Sequence, residues 1–337
     1  MKHVNVSLFV PHMGCPHRCV FCDQRAISGQ GSPITREEIV AACETAAACP
    51  HDPANSEIAF FGGSFTAIDR ATQQMCLETA APYLGAAFSG IRISTRPDAI
   101  DEETLAFLKS YGVTAIELGA QSMNETVLQK NERGHTPADT VRACALIRQC
   151  GFSLGLQMMT GLYGSTDALD LAAAEALIAL QPDTVRVYPT VVLEGTRLSQ
   201  LYRAGAYTPP TLEQSVSLCA KLLLRFSAAG VRVIRLGLHA GADVEKHYVA
   251  GPYHPAFREL CETRIYRDAA APLLYRLPPG GYTLLVPPGH ASKAAGQKRT
   301  NLIYFRARGY RLKIRETEGI GPYGPEIVND ERLTMND

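Results

Sequence analysis

Gly112-Val113-Thr114-Ala115-Ile116-Glu117-Leu118 is an apolar, β-branched run behind a glycine, and Gly151-Phe152-Ser153-Leu154-Gly155-Leu156-Gln157-Met158-Met159 repeats the form. Between them, Thr136-Pro137 puts a capping hydroxyl before a proline at the first helical position. Proline's missing N–H is one that the first turn leaves unpaired anyway, so this step reads as a helix start. Strand, capped helix, glycine, strand is the grammar of a parallel βαβ unit with a right-handed crossover.

The same grammar extends in both directions. Further strands are expected at Val4–Val10, Glu57–Phe61, Ile91–Thr95, Thr184–Tyr188 and Val231–Leu236. Gly90 and Gly230 stand where Gly112 and Gly151 do, as helix C-caps in the left-handed conformation. Thr35 with Glu38 and Thr211 with Gln214 form capping boxes. Six or seven units are visible, where a closed barrel needs eight. The expected fold is therefore α/β, a partial (β/α)6 TIM-like barrel, whose chemistry belongs at the C-terminal ends of its strands. After about residue 240 the pattern changes to turns at Gly251–Pro255 and Pro278–Gly281, with strands at Tyr282–Val286 and Arg311–Arg315. This predicts a core domain over 1–240 and a small α+β appendage over 241–337.

Composition narrows the class. The 337 residues are 46% hydrophobic and 20% charged, with no net charge, so a sizeable core is expected and no global field selects nucleic acid or a membrane surface. No apolar run approaches the length of a membrane span. The segment Val4–Val10 is interrupted by Asn5 and Ser7 and followed by Pro11 and His12, which reads as a strand rather than a signal peptide. Ten cysteines without such a signal predict reduced thiols and a cytoplasmic protein. Cys43, Cys49, Cys76, Cys144, Cys150, Cys219 and Cys261 follow no ligand spacing and read mainly as small buried side chains.

Three cysteines are clustered. Cys15-Pro16-His17-Arg18-Cys19-Val20-Phe21-Cys22 follows directly on the first strand. Thiolates suit iron–sulfur clusters and zinc. Four would satisfy every iron of a [4Fe–4S] cube, whereas three leave one iron open. In the competing reading, His12 or His17 completes a structural Cys3His zinc site.

The spacing C-x3-C-x2-C, with aromatic Phe21 before the last cysteine, resembles the signature of the radical S-adenosylmethionine (SAM) superfamily. That resemblance implies a [4Fe–4S] cluster on Cys15, Cys19 and Cys22, with SAM chelated at the open iron and cleaved reductively to a 5′-deoxyadenosyl radical. Phe60-Phe61-Gly62-Gly63-Ser64 is similar to the family's Gly-Gly-Glu segment beside the SAM amino group, with Ser64 in place of the acid. Ser94-Thr95-Arg96-Pro97-Asp98, Glu117–Ser122, Arg133-Gly134-His135 and Gln157–Leu162 follow in order. Together they resemble the Elongator catalytic-subunit family and its relative, the oxygen-independent coproporphyrinogen oxidase. By that resemblance Gln121 and Arg133 flank the SAM carboxylate and ribose, Ser94 and Arg96 lie near the methionyl end, and Gln157 lies near the ribose. Cofactor-binding roles are thus implied for Phe21, Gly62, Gly63, Ser94, Arg96, Gln121, Arg133 and Gln157, in a resemblance covering roughly residues 5 to 236.

The Elongator-type enzymes modify tRNA and carry an acetyltransferase domain. The roughly one hundred residues that remain here are too few for it in its usual form. They do carry a basic run, with Lys293, Lys298, Arg299, Arg306, Arg308, Arg311, Lys313 and Arg315 between Pro288 and Arg315 and no acid among them. Tyr304, Phe305 and Tyr310 are interleaved, a pattern suited to RNA as well as to an ordinary solvated face. Gly319–Gly324 matches a dinucleotide fingerprint by its letters but lacks the βαβ context. The expected function is a radical SAM enzyme of tRNA or RNA modification, reduced by a partner such as flavodoxin or ferredoxin, with no membrane partner. A radical decarboxylase or dehydrogenase of a small molecule, and a zinc-stabilised RNA-binding protein, are the alternatives.

Overall fold

Parallel pairing organises most of the chain. The structure, a computed structural model, describes residues 5–10, 15, 19–23, 32–239 and 241–329. Strands β1 (Asn5–Phe9), β2 (Glu57–Phe61), β3 (Gly90–Thr95), β4 (Val113–Gln121), β5 (Ser153–Thr160) and β6 (Thr184–Pro189) stand side by side in chain order. The short β7 (Val192–Leu193) is set apart, and β8 (Arg232–Leu236) follows β6 as the seventh strand. The result is the partial barrel expected, a parallel sheet curled but not closed.

The pleat decides which side chains meet the core. On β4, Ile116, Leu118 and Ala120 are fully buried on one face, while Glu117 and Gly119 lie on the other. That other face carries a row of charges: Glu57 on β2, Arg92 on β3, Glu117 on β4 and Arg186 on β6, joined by ion pairs. The Thr35–Glu38 and Thr211–Gln214 boxes form as predicted, and Thr136 caps Pro137–Gln149. Gly112, Gly151 and Gly230 take the left-handed conformation. Gly90 corrects the expectation, because it opens β3 rather than capping a helix. Crowding accounts for it: a Cβ there would stand 2.1 Å from Thr114 Oγ1.

The chain divides into two compact units. The first is 1–210, 226–235 and 239–252; the second is 211–225, 236–238 and 253–337. The first also holds a small antiparallel pair, β7 with β9 (Tyr248–Ala250). The second centres on three strands, β10 (Gly280–Val286) flanked by β11 (Tyr310–Glu316) and β12 (Glu326–Asn329). There the helix Phe257–Leu274 lays Tyr266, Ala270 and Leu274 against Tyr282, Leu284 and Val286. Gly319–Gly324 leads into β12 and not into a helix, so it is no dinucleotide site. Among the described residues no helix is long and apolar enough to cross a membrane.

Candidate active site

The stretches that follow β3 and β4 reach the cysteine segment through Arg96 and Arg133. Val20 is held from two sides: its N–H donates to the Asn131 carbonyl at 3.3 Å, and its own carbonyl accepts from Leu198 N at 2.7 Å. Cys22 N donates to the Cys19 carbonyl at 3.0 Å, forming a turn. Phe21 packs beside Val192, Leu198 and Tyr207, so its ring anchors the segment to a small apolar cluster. Among the described residues no group of three or more His, Cys, Asp or Glu is gathered as for a metal ion. His12 and His17 lie outside the described residues.

Arg133 stands at the centre. It is buried, with Nη2 donating to the Gly119 carbonyl at 2.6 Å and Nη1 donating to Cys19 Sγ at 3.0 Å. Its own carbonyl accepts from Arg96 Nη2 at 2.6 Å. Arg96 also grips Asp98 with Nε at 3.0 Å and Nη2 at 2.9 Å, so it is a brace inside the protein. Burial pushes the Cys15 thiol up, as does neighbouring Cys19, while the guanidiniums of Arg96 and Arg133 pull it down. Cys15, Cys19, Arg96 and Arg133 therefore share one electrostatic neighbourhood.

β4 ends irregularly. The register with β5 shifts between Gly119 and Gln121, and Gln121 has φ of 64°. A non-glycine residue in the left-handed region costs about 1–2 kcal/mol and is worth functional scrutiny. A Cβ on Gly119 would lie 3.0 Å from Gln121 Nε2 and 3.4 Å from Arg133 Nη2. Glycine is what lets both side chains approach this strand. Three buried polar atoms have no hydrogen-bond partner here: Gln121 Oε1, Arg133 Nε and His135 Nδ1. Such atoms are expensive to bury unpaired, and a bound group or an ordered water would satisfy them. Burial is the main reason that the His135 pKa is pushed down to about 4, with Arg133 adding to it, so the ring is neutral near pH 7.

The remaining assigned residues line the same strand ends. Gly62 and Gly63 turn the chain after β2 with φ of 80° and 44°. Ser64, which stands where the family motif has an acid, hydrogen-bonds Thr95 Oγ1 at 2.8 Å and accepts from Arg96 N at 3.3 Å, tying this turn to β3. Ser94 is the register partner of Glu117, and Gln157 that of Gly119; both are half-buried. Thr95 and His135 stand in the quoted motifs with no role that their sequence context assigns. Their contribution comes from contacts over long sequence separations.

The Radical SAM superfamily matches residues 9–176, and the Radical_SAM C-terminal domain matches residues 182–267. The chain belongs to the radical SAM superfamily. It is a radical SAM enzyme, and its cofactors are a [4Fe–4S] cluster and SAM. It is 26% identical to tRNA uridine(34) acetyltransferase of Dehalococcoides mccartyi over 239 residues, 60% of this chain and 52% of that protein. It is 33% identical to human Elongator complex protein 3 over 137 residues, 40% of this chain and 25% of that protein. The chain thus spans about half the length of the first relative and a quarter of the second. The structure of archaeal Methanocaldococcus infernus Elp3 shares the fold, with a TM-score of 0.65 at 21% identity, covering 79% of this chain and 63% of that one.

Proposed function

We propose that Cys15, Cys19 and Cys22 hold the cluster and that SAM lies along the ends of β2 to β5, with an RNA, most simply a tRNA, as the substrate. The observation that carries the SAM site is the set of unpaired buried atoms beside the cysteines. Arg133 Nε–H is a donor suited to the SAM carboxylate, and Gln121 Oε1 an acceptor suited to its ammonium or a ribose hydroxyl. SAM thus fits the donors and acceptors present, and three soft thiolates fit a cube with one open iron. The bound pair supplies a deoxyadenosyl radical able to abstract hydrogen from a substrate.

The chain's own residues position and shield. Gly62 and Gly63 present backbone for close approach, and Ser64 fixes that turn to β3. Arg96, spent on Asp98 and the Arg133 carbonyl, orients Arg133 rather than a ligand. Phe21 and its apolar neighbours keep water from one side of the cysteine segment. The electron we assign to a small external donor of the flavodoxin or ferredoxin type.

RNA is supported by the names of the relatives and by the second unit. On β11, Tyr310, Leu312 and Ile314 pack into the core, so the pleat sends Arg311, Lys313 and Arg315 to the opposite face. Lys298, Arg299 and Arg306 are exposed, beside Ile303 at 62% exposure, and Tyr275 is exposed at 49%. Lys293 is excluded, because it donates to buried Glu262 at 3.3 Å.

The first experiment is anaerobic reconstitution with iron and sulfide, then dithionite and SAM, with chromatography for 5′-deoxyadenosine. Its release by wild type and its loss in Cys22→Ala supports the site. Full release by any one of the three Cys→Ala variants overturns the ligand assignment.

A further inference from the structure

The Arg133 guanidinium reaches Cys19 across 114 positions of sequence. Its orientation is imposed at both ends. The backbone is fixed by left-handed Glu132 (φ 53°) and Gly134 (φ 70°) and by Arg96 on its carbonyl. The side chain is fixed by the Gly119 carbonyl, approached closely because residue 119 has no Cβ. What remains is Nη1 on the sulfur and Nε buried without a partner. Cys19 is itself buried at 8% exposure, so solvent does little to screen the contact.

We infer that Arg133 is a positioning residue for the cluster, whose Nη1–H···Sγ bond to Cys19 raises the cluster's reduction potential. An N–H donor withdraws negative charge from a ligating thiolate, and reduction adds an electron to the same centre. The donor therefore stabilises the reduced form more than the oxidised one. Hydrogen bonds to cluster sulfurs and outer-shell partners are recognised levers on potential, and a charged donor is about twice as strong as a neutral one. This inference rests on the ligand assignment proposed above and goes beyond it: the arginine serves electron uptake as well as SAM binding.

The test is an EPR-monitored redox titration of reconstituted protein without SAM, so that contacts to SAM play no part. Wild type, Arg133→Lys and Arg133→Met are compared at matched iron and sulfide content. Arg133→Met is expected to titrate at a lower potential than wild type, with Arg133→Lys between them. Wild-type potentials in both variants overturn the inference and leave the ligand assignment standing. A second measurement needs no variant to fold: pulsed EPR on wild-type protein carrying nitrogen-15 guanidinium. Coupling of that nitrogen to the reduced cluster is expected, and its absence overturns the inference. If wild type assembles no cluster at all, the ligand assignment fails and takes this inference with it.

Discussion

Glu117 on β4 holds Arg186 on β6 across the intervening strand, at 2.6 and 3.0 Å. The strand between contributes Gly155, in register with Glu117 on one side and Thr184 on the other. A Cβ at residue 155 would stand 2.7 Å from Glu117 Cγ, so the missing side chain is the gap through which the two charges meet. Arg92 joins Glu117 at 3.4 Å and Glu57 at 2.8 Å, extending the row over five strands, four of which contribute a charge.

Breaking such a row one member at a time is costly, because it strands a buried charge. Glu117→Gln is expected to lower stability by about 3–5 kcal/mol. Gly155→Ala, which overpacks the gap, should cost about 1–3 kcal/mol. Denaturant midpoints of the two variants check this. Wild-type stability for Glu117→Gln would show that the row does not tie the strands together.

Gln121 separates binding from folding. Glycine there relieves a left-handed strain of about 1–2 kcal/mol while removing the unpaired Oε1. Gln121→Gly should therefore melt close to wild type yet bind SAM about tenfold more weakly, the worth of one hydrogen bond. Calorimetric titration with SAM on the reconstituted protein reads the loss. Unchanged affinity would remove Gln121 from the site.

His51 sets a pH dependence. Nδ1 faces the Cys49 carbonyl at 2.7 Å and Nε2 the Ala87 carbonyl at 2.8 Å, and only the imidazolium can donate to both. These two carbonyls raise its pKa above the ordinary 6.5. A folded pKa above the unfolded one means a stabilisation complete below about pH 6.5 and lost as pH rises through the folded value. Wild type should lose stability against His51→Phe as pH is raised from 6 to about 9. A constant difference across that range would show that the ring is not charged in the fold.

Exposed Lys298 and Arg299 both sit in the left-handed region, with φ of 53° and 61°. If they meet phosphates, Lys298→Ala with Arg299→Ala should weaken binding to bulk tRNA and flatten its salt dependence by about two counterions' worth of slope. Fluorescence anisotropy from low to moderate salt measures both. An unchanged slope would place RNA elsewhere or exclude it.

The barrel was legible because each strand declares itself locally. Ser153–Thr160 and Thr184–Pro189 differ from their sequence-predicted limits by a residue or so, since apolar runs and glycine punctuation are local signals. β7, β9 and β12 run for only two to four residues and show no period to read. At the site, Gln121 and Arg133 were legible through their resemblance to a family. The left-handed turn of one and the sulfur contact of the other depend on partners far away in sequence. Lys293 shows the converse: it reads as part of a basic run, yet it is spent on Glu262, 31 residues earlier.

The two hydrogen bonds on Val20 carry a last consequence. They join the cysteine segment to Asn131 and Leu198 through peptide groups alone, with no iron in the connection. On the proposed ligand assignment, loss of the cluster leaves both of these bonds in place. The segment is then expected to keep its seat when empty, so that iron and sulfide supplied afterwards refill a socket already formed.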